Sequence, residues 1–155
     1  MNKDYLIEVN NLRVHFELKD NTVKAVDNVS WNIKKGETLA VVGESGSGKS
    51  VTAMSLMRLT DYSGGNIVSG SINFSRKNGK KIDITQQNQD TMREIRGNDI
   101  SMIFQEPMTS LNPVFTIEMQ ISEAIIKHQN KTPEEARNIS LEMLKLVRIP
   151  EPEKQ

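Results

Sequence analysis

The chain has 155 residues, 20 basic and 20 acidic side chains, no cysteine and a formal net charge of zero. This length suits one domain of average size. The charge balance gives no electrostatic basis for binding nucleic acid, and the lack of cysteine excludes disulfides and thiolate metal sites. The sequence shows no signal-peptide pattern and no apolar run of membrane-spanning length, so any link to a membrane is expected to run through a partner.

Residues 5 to 37 are predicted to form antiparallel β structure. Apolar and polar residues alternate in two runs, whose apolar members are Leu12, Val14 and Phe16, then Val29, Trp31 and Ile33. Phe16 ends its strand just before a polar turn. Its ring could face a ligand there, or it could be a plain core aromatic.

The stretch from Thr38 to Leu59 combines an apolar run, a glycine loop and a helical pattern. Leu39 to Val42 is predicted to be a fully buried strand. The pattern G-x-x-x-x-G-K-[ST] follows, filled by Gly43, Gly46, Gly48, Lys49 and Ser50. A helix is then expected, with core-facing positions at Val51, Ala53, Met54, Leu56 and Met57. Strand, loop and helix in this order indicate a phosphate site rather than a merely flexible loop.

Each part of this pattern has a physical role in binding a nucleotide. Glycines let the backbone curl and approach a ligand closely, so that successive N–H groups point at an anion. The positive end of the following helix reinforces this attraction. Lys49 supplies a charge between the β- and γ-phosphates, and the Ser50 hydroxyl is a candidate Mg²⁺ ligand.

The remainder of the chain is predicted to alternate short strands and helices. Residues 67 to 74 and 81 to 84 are expected to pair across the Asn78-Gly79 turn. A short helix is expected to end near Arg96-Gly97, and Ile100 to Phe104 to form another buried strand. Two amphipathic helices follow, with predicted buried positions at Ile117, Ile121, Ala124 and Ile125, then at Ala136, Ile139, Met143 and Leu146. The last helix is predicted to begin with a capping box of Thr132 and Glu135.

At Ser101 to Pro107, SMIFQEP, the chain resembles the Q-loop of ATP-binding subunits of ABC transporters. Residues 102 to 117, MIFQEPMTSLNPVFTI, resemble the dipeptide and oligopeptide importer branch, which includes nickel importers. Further similar stretches are LRVHF, AVDNVSW, GESGSGKSVTA and MREIRGNDI. The chain departs from the family at Glu118 and Met119, where Gly-Glu is common before the glutamine.

The resemblance implies an α/β fold of the P-loop NTPase class, with residues 1–155 forming part of an ABC nucleotide-binding domain. In that interpretation residues 1–37 and 66–85 form an antiparallel β subdomain. Residues 38–65 and 86–106 form a partial RecA-like core, and residues 107–155 form the Q-loop and the start of a helical subdomain.

The resemblance also assigns roles to individual residues. Phe16 corresponds to the aromatic residue that stacks on adenine. The expected nucleotide-binding residues of the loop are Gly43, Ser45, Gly46, Gly48, Lys49, Ser50, Val51 and Thr52, with Thr52 toward the α-phosphate. Gln105 is expected to contact Mg²⁺ or the attacking water, which makes Lys49 and Gln105 the catalytic candidates and Ser50 and Gln105 the metal candidates. Pro107 to Pro113 are expected to help form a surface for the permease.

The implied function is ATP binding, with Mg²⁺, in an importer ATPase at the cytoplasmic face of the membrane. Its expected partners are permease subunits, a second ATP-binding subunit and, indirectly, an extracytoplasmic peptide-binding protein. The sequence contains no signature motif, no apolar strand ending in Asp-Glu and no switch histidine. We therefore expect a truncated, N-terminal piece that binds ATP without turnover. The alternatives are a non-catalytic module that docks on a permease or a full-length subunit, and a small P-loop kinase.

Overall fold

The computed structural model describes residues 5–105 and 111–154. The chain divides into two compact units, residues 1–99 and residues 100–155. The first unit is built on a four-stranded sheet in the order β2-β1-β3-β4, in which all pairs are antiparallel. The strands are β1 Tyr5–Glu17, β2 Thr22–Lys34, β3 Gly65–Ser75 and β4 Lys81–Asp83.

The core of this unit lies on one face of the sheet. Alternate residues of β1 and β3 point into it, and the most deeply buried of these are Val9, Leu12, Val14 and Ile72. The alternating pattern predicted this face, because successive side chains of a strand point to opposite sides. The predicted β subdomain and the hairpin across Asn78-Gly79 are confirmed.

A row of irregular residues crosses three strands of the sheet. Asn11 in β1, Asn28 in β2 and Gly70 in β3 all have positive φ, at 48°, 58° and 95°. The Asn11 side-chain amide donates to Asn28 Oδ1 at 3.0 Å, and a Cβ on Gly70 would lie 2.6 Å from the Asn10 carbonyl oxygen. The strand register shifts here on both sides of β1. Such bulges increase the local twist of a sheet.

Two short α-helices belong to the first unit, α1 Lys49–Ser55 and α2 Gln89–Ile95. Asn88 caps α2 by accepting from the Thr91 backbone N–H at 2.8 Å, and its Met92 and Ile95 are fully buried. Short 3₁₀ helices lie at Leu59–Ser63 and Ile84–Gln86. The helix predicted to end near Arg96-Gly97 is therefore present.

The face that α1 buries differs from the prediction. Met57, just after the helix, is buried as expected, whereas Val51 and Met54 are only half-buried. The buried helical residues are Thr52 and Ser55. Their hydroxyls donate to carbonyl oxygens four residues earlier, at 2.9 and 2.7 Å, so these polar side chains can be buried with a hydrogen-bond partner.

The buried strand predicted at Leu39–Val42 is not formed. Residues 37–44 have no regular secondary structure, and Val42 is 92% exposed. A strand of a parallel sheet depends on hydrogen bonds to its neighbours. Within the described part of the chain no strand pairs with these residues. The assignment of residues 38–65 and 86–106 to a RecA-like core therefore stays a prediction.

The second unit contains α3 Ile117–Gln129 and α4 Pro133–Leu146. The strand predicted at Ile100–Phe104 is absent, and Ile103 is 99% exposed. Residues 106–110, which include most of the predicted permease surface, lie outside the described residues.

Small side chains mediate the contact between α3 and α4. The hydroxyls of Ser122 and Ser140 lie 3.1 Å apart, and Ser140 also donates to the Ala136 carbonyl at 2.8 Å. Of the predicted stripes, Ile125 and Ala136 are buried, while Ala124, Met143 and Leu146 are exposed. The prediction was wrong at Ala124, Met143 and Leu146. The residues that the two helices bury are instead Ser122 and Ile125, then Ala136, Ser140 and Leu144.

The capping box predicted for α4 is confirmed. Glu135 N–H donates to Thr132 Oγ1 at 3.2 Å, and Thr132 N–H donates to Glu135 Oε2 at 2.9 Å. This backbone donor, with Lys131 nearby, lowers the pKa of the exposed Glu135 carboxyl. None of the helices described is long and apolar enough to cross a bilayer.

Candidate functional site

The glycine loop lies at the surface and connects the irregular segment before it to α1. Gly43 to Ser47 are exposed, and Gly46 and Gly48 adopt φ of 80° and 85°. A Cβ on Gly48 would lie only 2.2 Å from the carbonyl oxygen of Ala25 in β2. Position 48 therefore requires glycine for two reasons, its positive φ and its close approach to the backbone of β2.

The ammonium group of Lys49 folds back over this loop. Its Nζ donates to the carbonyl oxygens of Gly43 and Glu44, at 2.8 and 2.6 Å, and to Ser47 Oγ at 3.2 Å. All three acceptors are neutral oxygens. The loop thus presents a half-buried cation whose hydrogen bonds can be exchanged for bonds to an anion.

The other predicted loop residues differ in their exposure to solvent. Ser45 and Ser50 are exposed, so their hydroxyls are open to solvent. Val51 is half-buried. Thr52 is buried, and its hydroxyl donates a hydrogen bond to the Gly48 carbonyl oxygen. The role of Thr52 toward an α-phosphate, like those of the other loop residues, stays a prediction.

Phe16 lies at the end of the sheet that supports the loop. It pairs across the strands with Val23 in β2 and with Gly65 in β3. Val23 is two residues from Ala25, whose carbonyl contacts Gly48, and two residues of strand span about 7 Å. The half-buried ring is therefore near the C-terminal end of the glycine loop.

Gln105 belongs to the second unit, where it is exposed in a segment without regular structure. Its predicted contact with Mg²⁺ or water stays a prediction. Among the described residues, no group of three or more His, Asp and Glu side chains could hold a metal ion. Ser50 stays the predicted loop ligand for an ion that phosphate oxygens would also hold.

An arginine behind α1 was not identified from the sequence as a supporting residue. Arg96 Nε donates to the Met57 carbonyl at 2.7 Å, and its Nη2 donates to the Arg58 carbonyl at 3.3 Å. The guanidinium also lies 5.2 Å from the centre of the Tyr62 ring. Arg96 thus satisfies carbonyl groups just after the helix. The one sequence feature that could have drawn attention to Arg96 is its position in the MREIRGNDI stretch, which carries part of the family resemblance.

A second supporting contact joins the β3–β4 hairpin to the end of α2. Arg76 Nε lies 2.7 Å from Asp99 Oδ2, with the two side chains only 11% and 2% exposed. Asp99 also accepts from the Lys77 backbone N–H at 3.2 Å. Arg76 also contacts Glu94, whose largely exposed carboxylate lies 3.6 Å away.

In the second unit, Gln120 holds the loop that precedes α3. Its Oε1 accepts from the Asn112 N–H at 2.9 Å, and its Nε2 donates to the carbonyls of Asn112 and Phe115 at 3.0 Å. Gln120 directly follows Glu118 and Met119, the two positions at which the sequence departs from the resemblance described above. An open groove of about 450 Å³ runs along α3 beside Met119 and Ile126.

Comparisons with known proteins identify the family to which the chain belongs. A family model described as ABC transporter matches residues 26–154. The chain is 51% identical over 146 residues to a glutathione import ATP-binding protein, GsiA, of Pectobacterium atrosepticum. It is also 51% identical over 142 residues to an oligopeptide transport ATP-binding protein, AppD, of Bacillus subtilis. These alignments cover 94% and 92% of the chain but 23% and 42% of the relatives.

Comparison with solved structures shows the fold of an ABC transporter cassette. The dimeric structure of MJ0796, a bacterial ABC transporter cassette, superposes with a TM-score of 0.75 and 26% identity. A post-hydrolysis structure of the same cassette, bound to ADP and Pi, superposes with a TM-score of 0.76. Both matches cover 94% of this chain and 58% of the solved one, so the chain spans little more than half of that cassette.

Proposed function

The chain belongs to the ABC transporter family, and on that premise we propose that its glycine loop binds the phosphates of ATP. The position of Lys49 is the observation that carries this proposal. An ammonium held by three neutral oxygens at an exposed loop can exchange them for phosphate oxygens, and charge-assisted hydrogen bonds are the stronger ones. Gly43, Ser45, Gly46, Gly48 and Ser50 line the same loop.

We propose that Mg²⁺ binds together with the nucleotide. The exposed Ser50 hydroxyl would supply one oxygen ligand, since Mg²⁺ commonly keeps several waters and binds through few protein groups plus phosphate oxygens. The ion would neutralise charge on the phosphates. Gln105 is proposed as a further ligand or as a contact for the attacking water.

Phe16 is the proposed contact for the adenine base. Its half-buried ring lies at the end of the sheet beside the loop, and aromatic stacking adds about 0.5–1.5 kcal/mol to burial alone. Stacking does not recognise the hydrogen-bonding edge of a base. The proposal therefore predicts weak discrimination between purine nucleotides.

The proposed cellular role is to energise peptide uptake across the cytoplasmic membrane, as a peripheral subunit on its cytoplasmic face. Similarity to proteins named for glutathione import and oligopeptide transport supports this class of substrate. Proposed partners are permease subunits, a second ATP-binding subunit and, through the permease, an extracytoplasmic peptide-binding protein. The dimeric cassette structure supports the second of these.

We propose that the 155-residue chain alone binds ATP without turning it over. Phosphoryl transfer to water requires a group that orients the water and preorganised donors for the transition-state charge. The sequence contains no signature motif and no apolar strand ending in Asp-Glu. Binding would then be separable from hydrolysis in this chain.

Titration with Mg-ATP, followed by calorimetry and by release of phosphate, tests the proposal. We expect Lys49→Ala to weaken ATP binding about 10- to 100-fold, the equivalent of one charge-assisted hydrogen bond or slightly more. Lys145→Ala, which removes an exposed lysine in α4, is the matched control and should bind normally. Unchanged affinity in Lys49→Ala would contradict the loop assignment. Turnover by the chain at about 1 s⁻¹ or faster would contradict the proposed lack of hydrolysis.

A further inference from the structure

Gly65, the first residue of β3, lies directly against the ring of Phe16. The two residues are cross-strand partners, and Gly65 is buried. A Cβ on Gly65 would lie 2.7 Å from Cζ of the ring and 2.9 and 3.1 Å from its two Cε atoms. Nearly equal distances to these three atoms place the Cβ over the face of the ring, near its tip, and not at its edge.

The backbone of Gly65 does not itself require glycine. Its φ lies outside the positive range, unlike that of Gly64 beside it at 82°. Glycine within a strand weakens the strand, because it has no side chain to pack and loses more conformational freedom on folding. The contact with Phe16 is therefore the physical reason for glycine at this position, and the aromatic ring covers the gap that glycine leaves.

We propose that Gly65 is a positioning residue for nucleotide recognition: it sets the Phe16 ring at the angle at which the base stacks. This inference rests on the proposed function, in which Phe16 contacts adenine and Lys49 contacts the phosphates. Any side chain at position 65 must push the ring away from β3. The base contact would then be lost, while the phosphate contacts of the loop would be kept.

The test compares two ligands, Mg-ATP and Mg-tripolyphosphate, which differ in the nucleoside. Binding to the full chain is measured for wild type, Gly65→Ala, Phe16→Ala and the double variant. We expect each single variant to bind ATP about 2- to 10-fold more weakly, the range for one aromatic contact, and tripolyphosphate as wild type does. The double variant should be no weaker than Phe16→Ala, because the ring that Gly65 positions is absent from both.

Four outcomes would overturn the inference. They are normal ATP binding by Gly65→Ala, equal weakening for both ligands, a further loss in the double variant, and normal ATP binding by Phe16→Ala. If Gly65→Ala does not fold, the double variant must fold, since the ring that the new methyl group would meet is gone. Failure of both variants to fold would be a fifth contrary outcome, since it would show that Gly65 serves another purpose. Lys49→Ala reports separately on the proposed function, because it should weaken both ligands.

Discussion

Replacing Gly48 by alanine should be much more harmful than replacing Gly46, although both glycines belong to the same loop. Both have positive φ, at 85° and 80°, and an L-residue in this conformation costs about 1–2 kcal/mol. The surroundings differ. A Cβ on Gly48 would lie 2.2 Å from the Ala25 carbonyl oxygen, whereas nothing lies within 4 Å of one on Gly46.

The extra cost at Gly48 follows from what the new methyl group would meet. The carbonyl belongs to the backbone of β2, which is paired with β1 and cannot move without disturbing the sheet. Overpacking of this kind typically costs about 1–3 kcal/mol. We therefore expect Gly48→Ala to lose about 2–5 kcal/mol in the free energy of unfolding, and Gly46→Ala about 1–2 kcal/mol.

Urea unfolding followed by circular dichroism measures both values, and titration with Mg-ATP measures the effect on the loop. Gly48→Ala should also bind ATP more weakly than Gly46→Ala, because the loop must leave β2 to accommodate the methyl group. Equal losses of stability in the two variants would refute the reasoning. That result would show that backbone conformation alone, and not contact with Ala25, explains glycine at position 48.

Two further predictions concern charged contacts outside the loop. Asp99→Asn should lower the free energy of unfolding in urea by about 3 kcal/mol, because the nearly buried Arg76 loses its nearer and more buried charged partner and keeps only the exposed Glu94 at 3.6 Å among its described ion pairs. The control Asp90→Asn, which removes an exposed ion pair, should cost less than about 0.5 kcal/mol, and equal costs would contradict the assignment. The lowered pKa of Glu135 means that its stabilisation of α4 is complete above the ordinary carboxyl pKa and is lost as pH falls through the lowered value. An NMR titration of the Thr132 amide should show this acid transition in wild type and not in Glu135→Gln; the same transition in both would contradict it.

The parts of the fold that depend on neighbours close in sequence could be predicted from the sequence. The hairpin of β3 and β4, the capping box of α4 and the glycine loop each lie within a short stretch whose residue types determine the local geometry. The alternating pattern also predicted the buried face of β1. In these cases local preference and packing favour the same structure.

The predictions that failed concern contacts set by packing. Leu39–Val42 and Ile100–Phe104 are apolar runs typical of buried strands, but a strand also needs a partner, and apolar composition does not supply one. In α4 the buried stripe is Ala136, Ser140 and Leu144, and in both helices one buried position is a serine, since Ser122 and Ser140 hydrogen-bond to each other. Apolar periodicity does not detect a buried serine.

The sequence predicted the glycine loop itself, but not the hydrogen bonds that hold the loop and the segments around it. Residue types and spacing identified Lys49, but they do not indicate that its Nζ binds three oxygens of the loop itself. Arg96 and Gln120 were also missed as residues that hold backbone carbonyls. Their contacts join segments separated along the chain or depend on the shape of a turn, which pattern analysis does not describe.

Residues 37–44, which pair with no strand in the described part of the chain, lead directly into the glycine loop, and this has a thermodynamic consequence for ligand binding. A neighbouring polypeptide strand could fix this segment in the geometry that the loop needs. The entropic cost of ordering the segment would then no longer reduce the affinity for a nucleotide. Because such coupling is reciprocal, a bound nucleotide would strengthen the strand's association by the same factor. Nucleotide affinity would then depend on whether such a strand is bound.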